Sequence, residues 1–219
     1  MTDEAHQPTP QPAGDLGTAS SQARVQFVGT GPGDPNLLTL GAVDAINRAQ
    51  VIVISCAEHR MLLGSDFLGL RPDVRIVLAG GVDEEAAVLP SQPGTGAPTP
   101  VDVDEHCADV TATVIDAASQ GLEVVRLVSG DPFLDGDIGA EAAAVARADH
   151  DVDVVPGVTG MTAVPEYAGL ILHGHDVQLI GDAACQRDIA GHGSNWSDQG
   201  LIVVNTEAGK LKEVVKNAI

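Results

Sequence analysis

Val51-Ile52-Val53-Ile54 is apolar at every position. A strand with one wet face alternates polar and apolar residues, whereas a strand that is apolar throughout is covered on both faces, as in a parallel sheet flanked by helices. The rest of the chain repeats the theme. Short apolar runs at 25–28, 74–78, 123–128, 152–155, 177–180 and 201–204 predict further strands. Between them, helical spacing predicts a helix capped by Thr39 with Leu40, Val43 and Ile46 on one side, and a short helix over 61–68. It also predicts helices over 104–119 (Val110, Val114 and Ala118 on one face, Gly121 past the end), 138–147, 161–169 and 210–219. Strands alternating with helices define an α/β fold.

Residues 1–23, rich in Pro, Gln, Thr and Ser without periodic apolar positions, are predicted to be a disordered tail. Two α/β domains are expected after it, at 24–132 and 133–219. Residues 80–105 and 183–198 are expected to be polar loops.

Charge narrows the partners. The formal net charge is −20, all three lysines (Lys210, Lys212, Lys216) fall near the end, and no positive side chain stands between Arg75 and Arg126. A nucleic acid or an anionic membrane surface requires clustered cations, so neither is expected as a partner. No apolar run is long enough to cross a membrane and no basic segment precedes an apolar one at the N-terminus, so a cytoplasmic location is expected. Cys56, Cys107 and Cys185 lack metal-ligand spacing and are expected to be small buried apolar residues.

Three Gly/Pro turns each follow an apolar strand: Gly29-Thr30-Gly31-Pro32-Gly33-Asp34-Pro35, Ser129-Gly130-Asp131-Pro132 and Pro156-Gly157-Val158-Thr159. In open α/β sheets ligands bind beyond the carboxyl ends of the strands, and glycines there let a ligand approach the backbone. The first turn is not a dinucleotide loop: Asp34 stands at the third glycine of G-x-G-x-x-G, and the next strand runs into Ser55-Cys56 rather than an acid.

The three turns, in this order and spacing, resemble the signature of the tetrapyrrole (corrin/porphyrin) methylases. There a strand leads into Gly-x-Gly-Pro-Gly-Asp-Pro, Val-Val-Arg-Leu into Gly-Gly-Asp-Pro, and Val-Val-Pro-Gly-Ile-Thr follows. The resemblance covers about residues 24–219. Within the family, Gly130-Asp131-Pro132-Phe133-Leu134-Asp135-Gly136 with Gly139-Ala140-Glu141 is most similar to the uroporphyrinogen-III C-methyltransferases, in the actinobacterial form fused to uroporphyrinogen-III synthase.

The resemblance implies two α/β domains, the second truncated here, with S-adenosylmethionine in the cleft between them. It implies cofactor contacts at Pro32, Ser129, Gly130, Asp131, Thr159, Gly160 and Thr206, the last where the family often has Met. It also implies a tetrapyrrole substrate, C-methylation of uroporphyrinogen III toward precorrin-2 and a homodimer. No catalytic side chain and no metal ligand are assigned.

The substrate side departs from the family. Tyr-Asp becomes Ser55-Cys56, Phe-Gly-Arg-Gly becomes Leu134-Asp135-Gly136-Asp137, and Pro-Leu-Thr-His-Arg becomes Ile171-Leu172-His173-Gly174-His175. A polycarboxylate substrate is held best by Arg. The alternative expectation is therefore a degenerate methylase domain that supports a fused synthase or a dimer partner.

Among single residues, His173 and His175 are expected to be polar loop residues rather than a metal pair, and His59 and His106 surface residues. Asp34 is expected to orient its own turn, Glu141 to sit in the first turns of a helix, and Trp196 to cover a small apolar patch. Asp131 is the acid expected to touch ligand.

Overall fold

A computed structural model describes residues 23–80, 105–107, 109–136, 138–180 and 201–204. The expected tail at 1–23, most of both polar loops, Trp196, Cys185, Thr206 and the helix expected at 210–219 lie outside the described residues, apart from Ala23.

The elements run β1 (Arg24–Gly29), a 3-10 turn (Pro35–Leu37), α1 (Leu40–Arg48), β2 (Val51–Ile54), α2 (Ala57–Leu63), β3 (Arg75–Ala79) and β4 (Glu105–Cys107). Next come α3 (Val110–Ser119), β5 (Val124–Val128), α4 (Gly139–Arg147), β6 (Asp151–Val155), α5 (Gly160–Tyr167), β7 (Val177–Ile180) and β8 (Leu201–Val204).

Strands β1 to β6 make one sheet in the order β4-β3-β2-β5-β1-β6, and every neighbouring pair is parallel. β7 and β8 form a separate parallel pair. Because side chains alternate across a strand, the sheet feeds two cores. Val25, Phe27, Val51, Val53 and Val77 pack on one face with Val114 of α3 and Val145 of α4. Val28, Ile52, Ile54 and Leu127 pack on the other with Ile46 of α1 and Leu62 and Leu63 of α2. All four positions of β2 and all five of β5 are buried, as strands covered on both faces require. The charged residue of β5, Arg126, is neutralised in place: its Nε donates to Glu141 Oε2 on α4 at 3.2 Å. Glu141 does lie in the first turn of that helix.

Several expectations change. α1 is capped by Thr39, whose hydroxyl accepts from Ala42 N, but the residues it buries are Ala42, Ala45 and Ile46. Leu40 is 90% exposed, because it falls on the side of the helix opposite the face formed by Ala42, Ala45 and Ile46. The second helix occupies Ala57–Leu63 rather than 61–68 and is closed by Gly64. The stretch expected to open the third helix contains instead the edge strand β4, and α3 starts after Asp109, whose carboxylate accepts from Ala112 N. The sheet also runs across the expected division at 132/133: α4 packs on it, and β6 pairs with β1 from Arg24↔Asp151 to Val28↔Val155. At the start of that pairing Arg24 donates to the Asp153 carboxylate.

Candidate functional site

Strand order places the site. β2, β5, β1 and β6 are consecutive neighbours, so four chain exits stand side by side at the carboxyl edge of the sheet. The exits of β1 and β5 are stitched together. Thr30 N donates to Val128 O at 2.8 Å, Gly130 N to Gly31 O at 2.8 Å and Gly31 N to Gly130 O at 3.2 Å. Gly31 and Gly130 both have positive φ, 73° and 67°, a conformation in which an L side chain is strained.

The exit of β6 presses onto this junction. A Cβ on Gly157 would stand 2.1 Å from Gly130 O, and one on Gly29 would stand 2.5 Å from Gly157 N. The three Gly/Pro turns of the sequence are thus one backbone-to-backbone joint, and any side chain at its centre is excluded by contact.

In front of the joint lies a cleft of about 360 Å³. The β1 turn contributes Thr30 to Gly33, the β5 turn Ser129, Gly130 and Asp135, helix α2 Glu58, His59 and Leu62, and helix α5 Gly160 and Val164. Among the described residues its walls include the acids Glu58 and Asp135 and no Lys or Arg. Such a cleft favours a neutral or cationic ligand over a multiply charged anion.

The expected cofactor residues divide into three groups. Pro32, Ser129, Gly130 and Gly160 are brought together in the cleft wall. Asp131 and Thr159 are the chain neighbours of Gly130 and Gly160, and one oxygen of each side chain accepts from backbone N–H groups. Asp131 Oδ1 accepts from Phe133 N and Leu134 N, both at 3.0 Å, and Thr159 Oγ1 accepts from Met161 N at 3.2 Å to cap α5. Thr206 falls outside the described residues. Asp34 also serves its own turn, accepting from Asn36 N at 2.9 Å.

His59 corrects an expectation. It is 2% exposed, not a surface residue, and its Nε2 lies 3.4 Å from Thr30 Oγ1 and 3.3 Å from Ser129 Oγ on the cleft floor. Burial, and then the nearby positive charge of Arg126, lower its pKa to about 3, so the ring is neutral at ordinary pH. Cys56 is half-buried and free, with Sγ 3.7 Å from Ser129 Oγ, and burial raises its thiol pKa. The side chains of His106 and Cys107 are not among those described.

Glu58, His59 and Leu62 escaped sequence reasoning because helix α2 was expected to begin later. The available signal was position: a helix that starts at the exit of a fully apolar strand borders the ligand edge of the sheet. Among the described residues no group of three or more His, Cys, Asp or Glu is placed to hold a metal, and no helix is long and apolar enough to cross a membrane.

Comparison with known proteins agrees with this geometry. The sequence profile described as Tetrapyrrole (Corrin/Porphyrin) Methylases matches residues 24–218. An S-adenosyl-L-methionine-dependent uroporphyrinogen III methyltransferase of Methanosarcina barkeri is 31% identical over 163 residues, covering 74% of this chain and 56% of that protein. Siroheme synthase 1 of Pectobacterium atrosepticum is 33% identical over 184 residues, covering 82% of this chain and 33% of that protein. The chain therefore spans about half of the first relative and a third of the second.

Two solved structures share the fold. One is a cobalt precorrin-4 methyltransferase of cobalamin biosynthesis, with a TM-score of 0.60 at 19% identity over 93% of this chain and 77% of that one. The other is a uroporphyrin-III C-methyltransferase of Thermus thermophilus, with a TM-score of 0.55 at 24% identity over 90% and 75%. By the extent of the profile match, the three interlocked turns and the shared fold, the chain belongs to the tetrapyrrole methylases.

Proposed function

We propose that the chain is an S-adenosylmethionine-dependent C-methyltransferase acting on uroporphyrinogen III toward precorrin-2, with the methyl donor bound at the joint of the β1, β5 and β6 exits. The observation that carries this reading is the cleft itself. Glycine backbone is open to close approach there, and the charged walls are carboxylates, which suits a ligand bearing a sulfonium and an ammonium group. When bound, the donor supplies an electrophilic methyl and its own leaving group, so that attack by a pyrrole carbon needs no side-chain nucleophile. The protein's task is alignment, and rigid backbone at Gly31, Pro32 and Gly130 performs it. Pro32, Ser129, Gly130 and Gly160 form the donor site, with Thr206 joining from beyond the described residues; Asp131 and Thr159 act by shaping it.

A location in the cytoplasm, a homodimer and a division into two domains complete the proposal. The continuity of the sheet through β6 favours a division after Val155. The second reading, a degenerate domain, is favoured by the two family positions that have lost Arg and are here Gly136 and His175.

Calorimetric titration with S-adenosylhomocysteine tests the donor site; absence of binding to the folded protein would exclude it. Anaerobic incubation with uroporphyrinogen III and S-adenosylmethionine then tests the reaction. A gain of methyl mass supports methylation, and unchanged substrate with intact donor binding supports the degenerate reading.

A further inference from the structure

We propose that His59 is a positioning residue that turns the Ser129 hydroxyl into a hydrogen-bond donor for a ligand oxygen in the cleft. The proposal rests on the cleft being the methyl-donor site.

Each hydroxyl has one proton to give. Thr30 Oγ1 gives its own to Val128 O at 3.1 Å, so toward His59 Nε2, 3.4 Å away, it acts as an acceptor. Nε2 therefore carries the hydrogen and Nδ1 is a bare lone pair.

The other end of the ring agrees. His59 Nδ1 is buried with no hydrogen-bond partner. A buried orphan N–H is the rarer of the two ways to leave a polar atom unpaired, so the lone pair is the better tenant of that position. The ring is neutral at ordinary pH, so it has this one N–H to share.

Ser129 Oγ lies 3.3 Å from the same Nε2. With its oxygen already receiving that N–H, its own proton is left over. Its other neighbour is Cys56 Sγ at 3.7 Å, a weak acceptor that a ligand carboxylate or hydroxyl oxygen readily displaces. Ser129 lines the cleft, so the freed proton is within reach of a bound ligand. The family signature quoted above has glycine where this chain has Ser129, so the hydroxyl is a departure from that signature.

Two measurements decide it. Long-range proton–nitrogen NMR on histidine-labelled protein should show His59 protonated at Nε2 and bare at Nδ1, unchanged from about pH 5.5 to 8. Protonation at Nδ1 overturns the assignment. In calorimetry with S-adenosylhomocysteine, His59→Leu and Ser129→Ala should each weaken binding about tenfold. His59→Gln, whose carboxamide offers an N–H near the position of Nε2–H, should restore binding to within about threefold of the parent. Ser129→Ala alone keeps the buried ring and so reads out the hydroxyl even where a His59 variant fails to fold; in its background His59→Leu should cost nothing further. Equal losses in both backgrounds would show that His59 does not act through Ser129. If the parent protein binds no S-adenosylhomocysteine, the methyl-donor reading fails and the ligand half of this proposal falls with it, while the NMR result still decides the tautomer.

Discussion

The turns leaving β1 and β5 face each other across the Gly31–Gly130 bridge, and each carries an aspartate that invites a functional reading. Asp34 accepts from one backbone N–H two residues on, and Asp131 accepts from two, at Phe133 and Leu134. The two aspartates thus do the same work to different depths. The turns differ in what remains for the cleft. The β1 turn offers chiefly backbone and a proline ring. The β5 turn offers a hydroxyl held between His59 and Cys56, and Asp135, whose Oδ2 accepts from Asp131 N at 2.7 Å. An acid in a strand-exit turn is therefore weak evidence of a ligand contact until its backbone partners are known.

The joint that both turns share should give the largest effect. Gly157→Ala, with its Cβ against Gly130 O, should destabilise the protein by about 3 kcal/mol and abolish S-adenosylhomocysteine binding. Chemical denaturation and calorimetry measure both, and a stable variant that still binds would show that the turns are not interlocked. Next comes His59, which touches both turns. Its folded pKa of about 3 lies below the value of about 6.5 expected unfolded. Its contribution is therefore fully present above about pH 6.5 and is lost as pH falls toward 3, because the unfolded chain takes up a proton the folded one refuses. Relative to His59→Leu, the parent should lose about 2 kcal/mol between pH 7 and pH 5, measured by urea unfolding of both at each pH.

The aspartates themselves come last. Asp131→Ala should cost about 1 kcal/mol and Asp34→Ala about 0.5 kcal/mol, in proportion to the backbone N–H groups each leaves unpaired. Asp131→Asn, which keeps an acceptor oxygen, should preserve both stability and cofactor affinity. If it keeps stability but loses affinity, Asp131 touches the ligand and the parallel between the turns breaks.

The strands were legible almost to the residue because a buried parallel strand cannot hide its apolar run; β2 and β5 are the clearest cases. β4 was not, because Glu105-His106-Cys107 has no apolar pattern and its strand character comes only from pairing with β3. Helix α2 was misplaced at its start because Cys56 makes no side-chain cap, so nothing local marks where the helix begins. In the site, Pro32, Ser129, Gly130 and Gly160, expected from the family resemblance, line one cleft. His59 was not legible, because it enters the cleft only through the adjacency of β2 and β5, which are far apart in the chain. Asp131 was read by its residue type, and its two N–H partners became visible only with the turn's conformation.

The placement of β1 inside the sheet, between β5 and β6, has a consequence for how the protein is made. β1 is the first of the described strands to be synthesised, yet its two neighbours are β5 and β6, far later in the chain, at Val124↔Val25 and Asp151↔Arg24. On the ribosome it must wait unpaired until Val128 has emerged, while β2 and β3, joined in register with each other, are free to assemble beforehand. The first turn of the cleft thus takes shape late in synthesis, and the interval before it does is when the apolar β1 segment is most open to mispairing.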